Sequence, residues 1–158
     1  MKKIFLLFLV FLLTMNISIS EVLTVKDPEI HKIVIFKNGE ADANKILYDF
    51  ALEEMYKNNW PVGFTLENVF AYKVDLEDNA GKAIVGVVFD SGYTGSSGYK
   101  LFILKKYENK YKDISSTSFW PWSDFKILKK KVNGFHVIEI KKTNGEPRYL
   151  EFDKKYYN

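Results

Sequence analysis

The apolar positions of this chain change period as one reads along it, and each change predicts a different element. Residues 4–13 are an unbroken apolar run behind Lys2 and Lys3, and the chain then turns polar at Thr14, Asn16, Ser18 and Ser20. Residues 30–36 hold the β-branched run Ile33-Val34-Ile35-Phe36, closed by Asn38-Gly39, which predicts a first strand. From Asp42 the spacing becomes helical. Leu47, Phe50, Ala51 and Met55 share one side, with Lys45, Asp49, Glu53 and Lys57 on the other. One amphipathic helix over residues 42–58 is expected, with Asp42 as N-cap and Asn58, Asn59 and Pro61 marking its end.

After Gly63 the period drops to two. Runs at 69–76 and 83–90 flank the polar turn Glu77-Asp78-Asn79-Ala80-Gly81, and runs at 100–106 and 111–115 flank Glu108-Asn109. A looser aromatic stretch, Phe119-Trp120-Pro121-Trp122, precedes two further runs, 135–142 and 148–152, separated by Asn144-Gly145. An Asn-Gly pair between alternating segments is a strong hairpin signal. The predicted fold class is α+β, mostly β. It is an antiparallel meander of about six or seven strands over roughly residues 64–155, with the helix packed on one face.

The N-terminal run reads as a secretory signal peptide: two lysines, an apolar centre, and small Ser18 and Ser20 at the positions a signal peptidase must accommodate. A bilayer-spanning helix needs about 20 apolar residues, and Asn16 and Ser18 end this run too early. The expected organisation is a signal peptide over 1–20, cleaved to leave Glu21, and one β-rich domain over 21–158. That places the mature chain in the periplasm or outside the cell, with no transmembrane segment after cleavage. The chain has no cysteine, so a lipidated variant of export is excluded and stability must come from packing alone. Cleavage removes two lysines and no acid, lowering the formal charge from +3 to +1. So small a charge argues against a nucleic-acid partner, whose binding rests on counterion release at a basic face.

Three stretches resemble a group of uncharacterised bacterial exported proteins with an Asp-rich hairpin of the FG-GAP or VCBS kind. Asp75-Leu76-Glu77-Asp78-Asn79-Ala80-Gly81-Lys82 is similar to that hairpin, one residue longer. Thr94-Gly95-Ser96-Ser97-Gly98-Tyr99 followed by Leu101-Phe102-Ile103-Leu104 resembles the group's glycine-rich loop and apolar strand. Asn133-Gly134-Phe135-His136 and Leu150-Glu151-Phe152-Asp153 resemble its later strand pairs. The resemblance spans roughly residues 68–155 and implies a fold and an exported location. Thr94 and Tyr99 stand where the group has cysteines, so the loop-closing disulfide it implies is absent here.

Candidate chemistry is sparse. Asp75, Glu77 and Asn79 stand at positions 1, 3 and 5 of a calcium loop. Position 6, however, is Ala80 where the sharp turn wants glycine, and position 12 is Gly86 instead of a bidentate Glu. A solvated β-turn is the preferred reading, and no metal or other cofactor is expected. Residues 91–99 carry three glycines and small hydroxyls between Tyr93 and Tyr99. A strand follows where a phosphate loop would need a helix N-terminus, which leaves either a long hairpin connection or a contacting loop bearing Tyr93, Thr94, Ser96 and Tyr99. Trp120 and Trp122 form either an aromatic platform or a core plug. Trp60 at the helix exit is read as structural, and the lysines at 126–131 as a solvated edge strand.

Catalysis finds no constellation. His31 and His136 are the only histidines, and no zinc spacing exists. The Ser-x-x-Lys strings at 97–100 and 123–126 fall outside the helix-start context that their chemistry requires. The expected function is therefore an exported, non-enzymatic β-rich protein that binds a protein or an envelope polymer. An inhibitor or immunity protein against a lysozyme-like hydrolase is the sharper version. A small envelope hydrolase using Asp75 or Asp78 with His136 and a purely structural envelope protein are the competitors.

Overall fold

The two periods of the chain build three layers, a helix on one sheet and a second sheet beneath it. The computed structural model describes residues 30–34, 39–78, 80–95, 98–116, 119–120, 124–142 and 144–158. Ten strands occur among them: β1 (Ile30–Val34), β2 (Val69–Val74), β3 (Ala83–Val88), β4 (Thr94–Gly95), β5 (Gly98–Tyr107), β6 (Lys110–Asp113), β7 (Phe119–Trp120), β8 (Phe125–Val132), β9 (Phe135–Lys141) and β10 (Pro147–Leu150). The single α-helix among the described residues, α1, is Ala41–Lys57. The fold is α+β and mostly β, as expected. The meander is divided between two antiparallel sheets, one ordered β1-β8-β9-β10 and one built on β2-β3-β5 with β4, β6 and β7 attached to β5.

Helix α1 buries Ala43, Leu47, Ala51 and Met55, a stripe at strict four-residue spacing. Two alanines in that stripe let the helix approach the sheet closely, while Leu47 and Met55 fill the space beside them. Burying one such large side chain stabilises by about 1.5–3 kcal/mol. The N-cap is Glu40 and not Asp42, which lies in the first turn. Asp42 instead pairs with Lys73 on β2, and that lysine holds its carboxyl below the usual range. The first turn of the helix and the residue before it also cover the outer edge of β2. The Ala71 N–H donates to Asn44 Oδ1 (2.7 Å), and the Glu40 N–H donates to the Ala71 carbonyl (2.8 Å). An edge that would otherwise recruit another strand is thereby occupied.

Strand β3, Ala-Ile-Val-Gly-Val-Val, is buried at every position because both its faces are covered. Ile84 and Val88 pack with Phe102, Leu104 and the helix. Val85 and Val87 pack with Leu101 and Ile103 against Phe125, Ile127, Ile138 and Ile140 of the second sheet. Gly86 lies opposite Ala71. A Cβ there would come within 2.5 Å of the Phe70 carbonyl and 2.6 Å of Ala71 Cβ, so only glycine fits.

The lysine-rich strand is not the solvated edge expected of it. β8 runs between β1 and β9 and is not a sheet edge. Its lysines are tolerated there because Phe125 and Ile127 face the core while the charges are met on the other side. Lys126 pairs with Glu139 (2.7 Å), Lys130 with Glu151 (2.6 Å), and Lys131 with Asp78. The β8–β9 turn is Asn133-Gly134, with φ of 52° and 86°, the two positive values of the hairpin turn that matches strand twist.

The C-terminus closes one end of the sandwich. Tyr157 is fully buried, and its N–H donates to the Ile114 carbonyl (2.8 Å) while its hydroxyl donates to the His136 carbonyl (2.8 Å). It thereby ties the first sheet's continuation to β9 of the second. Phe135 and Phe152 complete the plug, their ring centroids 3.9 Å apart and 6.0 and 5.6 Å from that of Tyr157. Among the described residues, no helix is long and apolar enough to cross a membrane.

Candidate functional site

At the end of the molecule opposite this plug, loops gather. Strand register sets their position: Val69 pairs with Val88, and Val87 with Leu101, so β2 begins, β3 ends and β5 begins at the same end of the sheet. The helix exits there too. A Cβ on Gly92 would lie 2.7 Å from the Met55 methyl, and one on Gly63 would lie 2.6 Å from Asp90 Oδ2. Asp90 caps the short 3₁₀ turn Ser91–Tyr93, its Oδ1 accepting from the Gly92 N–H at 2.8 Å.

Tyr99 is the centre of this end. On one side Thr94 pairs with it across the β4–β5 hairpin, and on the other Trp120 of β7 pairs with it. The glycine-rich loop and the aromatic stretch, twenty residues apart in sequence, are thus neighbours in one small sheet. Two segments read separately as candidates form one surface. The Tyr99 ring is half-buried and meets Phe89 edge-on at 4.4 Å, and Phe89 meets Phe70 at 5.2 Å. Thr94 is exposed, with its hydroxyl donating to the Ser91 carbonyl at 3.2 Å. Ser96 and Trp122 lie outside the described residues, and Trp120 enters through its backbone pairing.

Tyr93 does not belong to the contacting surface. It is 5 % exposed, its hydroxyl donates to the Ala51 carbonyl at 3.0 Å, and its ring packs edge-on against Phe102 and Phe64 at 5.0 and 6.1 Å. Burial pushes its hydroxyl pKa up to about 12. Tyr93 is a core residue that locks the loop's base to the helix. Trp60, read as structural, is half-exposed at this same end, together with Tyr56, Val62 and Leu66. The sequence carried no local signal of this exposure, because apolar residues around Pro61 just past the helix stop read as a covered turn.

The Asp-rich turn sits at the other end and is tied down. Asp75 is exposed, Glu77 pairs with Lys105, and Asp78 pairs with Lys131. Glu77 also bridges to Phe135, and the His136 N–H donates to the Leu76 carbonyl at 2.8 Å. The turn therefore joins the two sheets, and its acids face lysines. Asn79 lies outside the described residues, and among those described no three His, Cys, Asp or Glu side chains gather as a metal site requires.

Asp78 and His136 do come together, with Oδ1 and Nε2 3.9 Å apart. That is beyond hydrogen-bond reach. His136 Nδ1 lies 2.6 Å from the Leu128 carbonyl, which can only accept, so Nδ1 carries the proton and the ring is oriented by the backbone. The histidine is 5 % exposed and holds strand β8 to β9. No known protein family matches the chain, and no curated protein or solved structure is significantly similar to it.

Proposed function

We propose that the chain is an exported binding protein that recognises a protein or an envelope polymer through its loop-rich end and carries out no reaction of its own. One observation supports this above the others: Tyr99 brings the glycine-rich hairpin and strand β7 into one surface, on a scaffold whose layers are packed throughout. Recognition residues are commonly carried on loops held by such a rigid frame, and a half-buried tyrosine offers a large contact area with little freedom to lose. Against a hydrolase stand the 3.9 Å gap between Asp78 and His136 and the engagement of Asp78 by Lys131.

The test is co-sedimentation of the purified protein with insoluble peptidoglycan, alongside inhibition of a lysozyme-like muramidase. Wild type should be retained by the polymer or should slow the enzyme, and Tyr99→Ala should weaken that effect roughly tenfold or more, as truncation of an anchoring aromatic does. Absence of both effects, or a Tyr99→Ala protein indistinguishable from wild type, would sink the reading. Export has its own measurement. Mass spectrometry of the chain released by cells should show Glu21 as its N-terminus, and a retained Met1 would count against cleavage.

A further inference from the structure

Six large hydrophobic side chains are exposed among the described residues, and four of them fall between positions 56 and 66: Tyr56 (67 %), Trp60 (49 %), Val62 (38 %) and Leu66 (43 %). Single exposed apolar residues need no explanation, but a group of them on one segment does. The segment is rigidly held. Past the helix, Asn59 takes the left-handed conformation at φ 53°. Its N–H donates to the Tyr56 carbonyl (3.2 Å), and the Trp60 N–H reaches back to the Met55 carbonyl (3.0 Å), the paired bonds of a Schellman stop. Phe64 is anchored in the core, 5.6 Å from Tyr48 and 6.1 Å from Tyr93. Thr65 and Asn68 then close a capping box on the 3₁₀ turn Leu66–Asn68. Side chains displayed on so fixed a backbone lose little entropy on binding.

The rim is acidic. Glu53, Glu54 and Glu67 adjoin the segment in sequence, and Asp90 reaches it at Gly63. The only cation among them is Lys57, paired to Glu53 at 2.9 Å and to Glu54 at 3.4 Å. After the expected cleavage the chain as a whole is nearly neutral, with a formal charge of +1, so this rim is more acidic than the molecule around it.

We propose that residues 56–66 form a docking surface for a protein segment with an apolar centre and cationic flanks. The inference rests on the reading of this end as a recognition surface and adds the chemistry of the partner. Val62 and Leu66 favour a polypeptide over a sugar, which stacks on aromatic rings but gains little from aliphatic side chains. The carboxylates repel an anionic lipid surface. A second copy docking patch to patch would set two acidic rims against each other, an arrangement that costs affinity.

The probe is a fluorescein-labelled peptide with a Leu-Phe-Leu core between pairs of lysines, titrated against the purified protein by anisotropy. A Glu-flanked counterpart and anionic lipid vesicles are run in parallel. The lysine peptide should bind, and the glutamate peptide should bind at least about tenfold more weakly. Raising salt from about 0.05 to about 0.5 M should weaken the lysine peptide severalfold by screening. Trp60→Ala should weaken it roughly 30-fold, the scale of a hot-spot tryptophan. Glu53→Lys combined with Glu67→Lys changes only exposed side chains and should invert the preference between the peptides. Equal affinity for the two peptides, no peptide binding, or Trp60-dependent vesicle binding in place of peptide binding would overturn the proposal. Tyr99→Ala separates the two readings. Peptide binding indifferent to Trp60→Ala but lost in Tyr99→Ala defeats the docking surface and leaves the hairpin standing.

Discussion

The two ends of this sandwich are built from the same residue types and put to opposite use. At the C-terminal end Phe135, Phe152 and Tyr157 are buried together, and the Tyr157 hydroxyl and N–H each have a backbone partner. At the loop-rich end Tyr56 and Trp60 remain in water and Tyr99 is half-covered, while glycines replace side chains between them. A large aromatic stabilises a fold only where its neighbours close over it. Where they do not, the ring stays in contact with solvent. The contrast separates the aromatics that hold this protein together from those that face outward.

The largest test of that contrast is Tyr157→Ala. It removes a fully buried ring together with the hydroxyl that bonds the His136 carbonyl. The expected loss is about 3–5 kcal/mol of unfolding free energy, read by urea denaturation. Tyr157→Phe keeps the ring and should cost about 1 kcal/mol, the net worth of one hydrogen bond. If Trp60→Ala were as destabilising as Tyr157→Ala, the division between the ends would collapse.

Tyr93 sharpens the comparison, because it is, with Phe64, a buried aromatic of the open end. Burial, which disfavours the phenolate, pushes the Tyr93 hydroxyl up to about 12 from a reference of 10.0. Between those values the unfolded chain has lost the proton and the folded chain keeps it. The associated stability is therefore fully present below pH 10 and is lost as pH rises from about 10 towards about 12. Thermal melts across that window should fall more steeply for wild type than for Tyr93→Phe. Parallel curves would mean that Tyr93 is not closed off from solvent at the loop's base.

Much of this architecture was legible in the sequence. Helical spacing at Leu47, Ala51 and Met55 placed α1 to within one residue at each end, and Asn144-Gly145 marked the β9–β10 turn, where Gly145 has φ 84°. What escaped was anything set by distant partners. The division of the meander into two sheets depends on Leu101 and Ile103 meeting Phe125 and Ile138, pairs that no local period encodes. The lysines of β8 looked like an edge because their partners, Glu139, Glu151 and Asp78, lie 13, 21 and 53 residues away. At the candidate site the residue types were readable but their burial was not. Tyr93 and Tyr99 flank the same loop, and only the packing of Phe64 and Phe102 draws the first inward. Trp60 went the other way, because its neighbour Pro61 suggested a covered turn.

The smallest effect belongs to the ion pairs of the closed end. Asp78 faces Lys131 and, at 3.9 Å, His136, yet its side chain is 72 % exposed. Solvent screening leaves such a pair worth at most about 1 kcal/mol, so Asp78→Asn should shift the denaturation midpoint only slightly. The two sheets are joined there by the His136 N–H on the Leu76 carbonyl and by the aromatic plug, neither of which the substitution touches. A loss above about 2 kcal/mol would assign the closure to charge instead of aromatic burial. In that case the Asp78–His136 pair would warrant the kinetic scrutiny that its geometry does not invite.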